Sequence, residues 1–161
     1  MRCLLVDKII SCEPGKHITG IKNVTMSENF LQDHFPGFPV MPGMLQLEAV
    51  AQLASWLAFA TSKGINKAAL LSVASIKFKE FIVPGDQMLI QVALTQQDEN
   101  GMVCNATIRV GETVKTEIRT IRLAYEAVAE REAPDEAQAY FDFLCGTAPL
   151  GAYRHAPVRS L

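Results

Sequence analysis

The chain has 161 residues, enough for one domain with a substantial core and too few for two ordinary ones. Apolar residues make up 49% and charged residues 20%, which excludes the polar, highly charged composition of a disordered chain. A formal net charge of −2 gives no broad attraction for nucleic acid, so a DNA- or RNA-binding role is set aside.

The first predicted element is a strand over residues 3–12, CLLVDKIISC, closed by a turn at Pro14-Gly15. His17 to Thr25 reads as the returning strand. From Asn29 to Gly43 the residues Pro36, Gly37, Pro39, Pro42 and Gly43 forbid regular helix or sheet through most of the stretch, and a stiff loop is expected. Pro42 suits the first position of a helix, and MLQLEAVAQLASWLAFAT runs from Met44 to Thr61 without Gly or Pro, with Gly64 placed to end it. Leu, Ala, Val, Trp and Phe occur around the whole circumference of this helix and Glu48 is its only charge. Such a helix is expected to be buried on all sides.

Four further strands follow, in LLSVASIKF, MLIQVALTQ, MVCNATIRV and VKTEIRTIRLAY, with turns at Pro84-Gly85-Asp86 and Asn100-Gly101. Two strands, one apolar helix and four more strands are satisfied by an antiparallel sheet wrapped around one long buried helix. This is an α+β chain with the hot-dog arrangement, over residues 1–125. Residues 126–161 form an extension of unassigned role. Within it DEAQAYFDFLC predicts a short amphipathic helix that packs on the sheet or on a neighbouring subunit, with a regulatory lid or partner site as the alternative.

Cys3, Cys12, Cys104 and Cys145 are scattered, with no CxxC pair and no histidine at ligand spacing. Reduced, mostly buried thiols are expected rather than a zinc site or a redox motif. Asp7 and Lys8 interrupt the apolar run of the opening residues, and no long uncharged apolar stretch follows. A cytoplasmic protein without a signal peptide or membrane span is expected.

No GxSxG elbow, phosphate-binding loop, GxGxxG or HExxH motif occurs, so nothing in the sequence requires a nucleotide, a metal or a serine nucleophile. What stands out is Glu48, a carboxyl in the second turn of a helix expected to be enclosed. It can be a structural carboxylate favoured by the helix dipole or a working acid. Gln52, one helical turn later, can hydrogen-bond and orient it. Of the three histidines, His17 follows a turn and His155 lies in the tail, whereas His34 stands on the constrained path into the helix. A histidine, a rigid loop, the exposed N–H groups of a helix start and an enclosed carboxyl together form a far more specific constellation than any one of them.

These residues carry a resemblance. DHFPGFPVMPGMLQLEAVAQ, residues 33–52, is similar to the signature of the bacterial β-hydroxyacyl-acyl-carrier-protein dehydratases of fatty acid synthesis. LLVDKIISCEPGKHITGIKNVT and KFKEFIVPGDQM resemble flanking segments of that family in the same order. The likeness covers roughly residues 3–125; Phe81 departs from a common Pro, and residues 126–161 have no recognised counterpart.

The resemblance implies a homodimer, or a trimer of dimers, with helices side by side and acyl tunnels at the subunit interface. Each site would combine His34 of one chain with Glu48 of the other. The Gly43 N–H would polarise the thioester carbonyl and the Val40 carbonyl would orient the histidine. Glu rather than Asp at position 48 favours plain dehydration over combined isomerisation. Phe38, Met44, Leu47 and Trp56 are the expected tunnel residues.

The chemistry agrees: removing water from a 3-hydroxyacyl thioester needs a base for the C2 proton, an acid for the C3 hydroxyl and a donor for the thioester oxygen. Burial would favour a protonated Glu48, and imidazole is available near neutral pH. No cofactor and no metal are expected. The partner is acyl carrier protein, whose acidic surface would meet Lys77 and Lys79, or Lys63 and Lys67. A hot-dog acyl thioesterase and a non-catalytic acyl-binding subunit are the competing functions.

Overall fold

In the computed structural model, residues 4–31, 34, 37–130 and 133–148 are described. Cys3, Asp33, Phe35, Pro36, His155 and the rest of the tail lie outside them. The period-two alternation of the strand segments becomes six antiparallel strands: β1 (Lys8–Glu13), β2 (His17–Asn23), β3 (Asn66–Phe78), β4 (Gln87–Gln97), β5 (Gly101–Val110) and β6 (Thr113–Ala127). They form one sheet in the order β1-β2-β4-β5-β6-β3. Between β2 and β3 the chain crosses the sheet through α1 (Gly43–Thr61), which packs against β1 to β5. This is the hot-dog arrangement.

The inner face of the sheet supplies Ile18, Ile90, Val92, Cys104, Ile108 and Ile118, each at most 1% exposed. Against it α1 buries Leu47, Val50, Leu53, Ala54, Leu57 and Phe59. The helix comes close: a Cβ at Gly20 would lie 2.8 Å from Leu53 Cδ1 and 3.0 Å from the Lys8 carbonyl, so β2 tolerates no side chain there. In β6 the alternation slips, because Thr116 and Ile118 are buried and so are Ile121 and Leu123. Thr120, at φ 53°, absorbs the extra residue. Its N–H is taken by the Asn105 side chain at 2.9 Å, which holds a β-branched residue in the strained left-handed region.

Two expectations need correction. Pro42 is the N-cap rather than the first helical residue; its ψ of 136° is extended, and its carbonyl accepts the Leu45 and Gln46 N–H groups at 3.0 and 3.2 Å. Nor is α1 enclosed on all sides. The sheet covers most of it but leaves a strip where Met44 and Glu48 are exposed and Gln52 and Ser55 half-buried. One concave sheet cannot close over a full circumference.

The extension forms α2 (Pro134–Cys145), with Pro134 at the helix start as its backbone requires. α2 packs beside β1 and over the second half of α1. Phe141 meets the Trp56 and Phe59 rings at 5.7 and 5.5 Å, Tyr140 meets Trp56 edge-on at 5.5 Å, and Ala137 and Leu144 join the common core. In this structure the helix packs against its own chain. Phe141→Ala should lower unfolding stability by about 2 kcal/mol, below the range for a fully buried ring because Phe141 is half-exposed, read as a reduced denaturant midpoint.

Burial pushes the Cys12 thiol up to about 11 and the Cys104 thiol to about 12, from an ordinary value of 9.0. The folded chain then keeps protons that the unfolded chain releases. Stability should be unaffected by these thiols below pH 9 and fall as pH rises from 9 toward 11–12. A pH series of denaturant midpoints, with native Cys104 resisting alkylation below pH 9, checks this.

Candidate active site

The path into the site is held before it begins. Lys22 on β2, 5% exposed, pairs with Glu28 just ahead of the 3-10 turn Asn29–Leu31, and Asp7 lies 3.8 Å from the same ammonium. Further on, the Met41 N–H donates to the Ile82 carbonyl at 2.8 Å, and the Asp86 carboxylate accepts the Val83 N–H at 3.0 Å. The Val83-Pro84-Gly85-Asp86 turn thereby braces the strand-like segment on which the loop leans.

His34 is half-buried, with Nδ1 3.0 Å from the Val40 carbonyl oxygen. A carbonyl can only accept, so Nδ1 carries the proton and donates, and in the neutral ring Nε2 is the basic nitrogen. Gly43 opens α1, where the first N–H groups have no intrahelical acceptor. A Cβ there would come within 2.5 Å of the Phe78 ring, so the glycine lets the aromatic pack directly on the helix start. His34, Val40 and Gly43 line one cavity of about 710 Å³.

Glu48 and Gln52 lie beside this group rather than in it. The Leu5 N–H donates to Gln52 Oε1 at 2.9 Å, which fixes the amide so that Nε2 donates to Glu48 Oε1, also at 2.9 Å. Gln52 thus holds the carboxylate as the spacing predicted. The expected enclosure of Glu48 is not supplied by its own chain: it is exposed on the open strip of α1 and does not line the His34 cavity.

Of the expected tunnel residues, Leu47 is buried, and Phe38 and Met44 are 54% and 68% exposed beside the site. Phe38 meets Phe81 edge-on at 5.8 Å. Trp56 is placed elsewhere, beneath α2 and about 20 Å along the helix from Gly43. Sequence reasoning missed Phe78, Lys79, Glu80, Phe81 and Lys115 as cavity residues, and Gln46 as well. The signal available was two large aromatics flanking Lys79-Glu80 at a strand end, 51% and 63% exposed.

Around the rim Lys79 pairs with Glu117 at 2.6 Å and Lys115 with Glu80 at 2.7 Å. The Lys79 ammonium holds the Glu117 carboxyl below its ordinary value. Lys63 and Lys67 follow the far end of α1, with Lys67 Nζ 4.0 Å from the Trp56 ring centroid. Among the described residues no three His, Cys, Asp or Glu side chains converge on a metal-sized site, and no helix is long and apolar enough to cross a membrane.

The chain matches known proteins over the part that builds this site. The FabA-like domain family matches residues 1–119. The 3-hydroxyacyl-[acyl-carrier-protein] dehydratase FabZ of Psychrobacter arcticus is 40% identical over 111 residues, 66% of this chain and 76% of that protein. FabZ of Rickettsia conorii is 43% identical over 117 residues, 71% and 80% of the two chains. Among solved structures, an acetyl-CoA-bound protein of Streptococcus mutans superposes with a TM-score of 0.62 at 17% identity, over 79% of this chain and 94% of that one. That structural likeness concerns the fold alone, while the family match spans His34, Val40, Gly43, Glu48 and Gln52. By that match and these identities, the chain belongs to the FabA-like β-hydroxyacyl-acyl-carrier-protein dehydratase family.

Proposed function

We propose that the chain is a cytoplasmic hydro-lyase that removes water from 3-hydroxyacyl thioesters on acyl carrier protein, giving trans-2-enoyl thioesters in fatty acid synthesis, with His34 and Glu48 as its acid/base pair. The observation that carries the assignment of roles is the His34–Val40 contact in one cavity with the Gly43 helix start. With its proton on Nδ1, His34 presents Nε2 to the C2 proton. The Gly43 N–H receives the charge that grows on the thioester oxygen, and Glu48 delivers a proton to the departing C3 hydroxyl. Atoms balance: the enoyl thioester and one water leave, and the proton taken from C2 returns the pair to its starting state by exchange.

Glu48 of a second copy fits this role better than the chain's own. Glu48 lies outside the His34 cavity, on the strip of α1 that the sheet leaves open. At the sheet edge β3 is thirteen residues long, with Leu71 and Phe78 68% and 51% exposed. A long apolar edge invites pairing, and a second copy would cover it and enclose Glu48. A homodimer is the smallest assembly that completes the site on this reading.

His34→Ala and Glu48→Gln should each lower kcat by roughly 10³-fold with unchanged circular dichroism, measured by enoyl thioester formation. Near-wild-type turnover of either would remove the pair from the mechanism, and release of free thiol would instead mark a thioesterase. Mixing the two variants tests sharing between copies. A heterodimer has one intact site, so random reassociation should restore about a quarter of wild-type activity. Sites built within one chain would stay dead on mixing.

For the carrier, Lys77 is the better candidate, because Lys79 is already engaged by Glu117. Lys77→Glu should slow turnover of carrier-bound substrate more than that of a pantetheine thioester, with the gap narrowing as salt rises. Equal losses on both substrates would move the docking surface elsewhere.

A further inference from the structure

Beneath the site lies a polar pair that the mechanism leaves unused. Gln46, 4% exposed, is the buried polar residue of α1, and Thr116 on β6 is fully buried. Apolar residues at both positions would satisfy the core without the desolvation that an amide and a hydroxyl incur. Gln46 Nε2 donates to the Met41 carbonyl at 3.2 Å, and Thr116 Oγ1 donates to Gln46 Oε1 at 2.6 Å. The directions are fixed by chemistry. Because a carbonyl only accepts, the amide must turn its nitrogen to Met41 and its oxygen to Thr116.

The bonds fall on consecutive peptide planes. The first, between Val40 and Met41, bears the carbonyl that receives His34 Nδ1–H and is held from its other side by Met41 N–H to Ile82 at 2.8 Å. The second, between Met41 and Pro42, is held through its carbonyl by Gln46. The third, between Pro42 and Gly43, bears the N–H at the helix start, and the proline ring limits rotation between the second and third. The middle plane therefore sets the angle between the histidine's acceptor and the oxyanion donor.

We propose that Gln46 and Thr116 are positioning residues for dehydration, which lock the Met41–Pro42 peptide so that the Val40 carbonyl and the Gly43 N–H act in register. This rests on the roles given above to His34 and Gly43. A displacement of about 1 Å at a reacting group can cost on the order of 10²-fold in rate, so the lock is of catalytic consequence through the placement of its neighbours.

Thr116→Val keeps the shape and removes the hydroxyl. It should lower kcat per folded molecule by about 10- to 100-fold with little change in KM. The His34 imidazole ¹⁵N shifts should lose the signature of a proton confined to Nδ1, and Thr116→Ser should restore both readouts. Should Thr116→Val not fold, Gln46→Met is measured in the same way. Wild-type kcat with unchanged imidazole shifts in the folded variant, or a rate loss that Thr116→Ser does not rescue, would overturn the proposal. His34→Ala separates the two levels: an active His34→Ala sinks the proposed chemistry itself, whereas an inactive one beside a fully active Thr116→Val sinks only the positioning role.

Discussion

A nineteen-residue helix with a single charge cannot remain in water, and the whole chain is arranged around that constraint. The sheet must curl to cover α1, strands must sit close enough for Gly20 to be required beneath Leu53, and α2 must close over Trp56 and Phe59 where the sheet gives out. What this leaves uncovered is as informative as what it hides. The open strip carries Glu48, so the carboxyl proposed above for acid/base work lies where its own sheet leaves it uncovered.

The site grows from the same constraint. A buried helix must start somewhere, and its first N–H groups lie at the rim of the core beside the loop that leads into it. The prolines of this loop have no N–H to donate, so its geometry depends on a few bonds: Ile82 and Gln46 hold Met41 from outside, and His34 holds Val40 from within. Stiffness and placement have separate sources here. The first comes from prolines in the loop, the second from His34 within it, from Ile82 ahead of β4, and from Gln46 on α1 with Thr116 of β6 behind it.

That separation explains what was legible in the sequence. The strands, α1 and the short C-terminal helix were readable because each has a local cause: alternation, an unbroken apolar run, an amphipathic repeat. The Gln52–Glu48 contact was readable for the same reason, being one helical turn. Thr116 and Gln46 are 70 residues apart, and no local pattern announces that they meet. Phe78 and Phe81 looked like an ordinary strand end, since their role depends on where the loop crosses. The exposure of Glu48 is not legible because an apolar circumference does not show which strip of a helix one sheet leaves open. The surroundings of Trp56 were not legible either, since the aromatics of α2 that meet it belong to a segment for which the family likeness offers no guide.

The left-handed Thr120 acts as a change of reading frame within one strand. Before it, even-numbered residues Thr116 and Ile118 face inward; after it, odd-numbered Ile121 and Leu123 do. A single strand can thus present one phase beneath the helix start and the opposite phase farther along, while bending enough to follow the helix it covers. Loss of that one residue would leave no setting in which both halves are correct: either Thr116 turns away from Gln46 or the later isoleucine and leucine turn to solvent. The chemistry at one end of β6 and the packing at the other are therefore coupled through the backbone of a residue that takes part in neither.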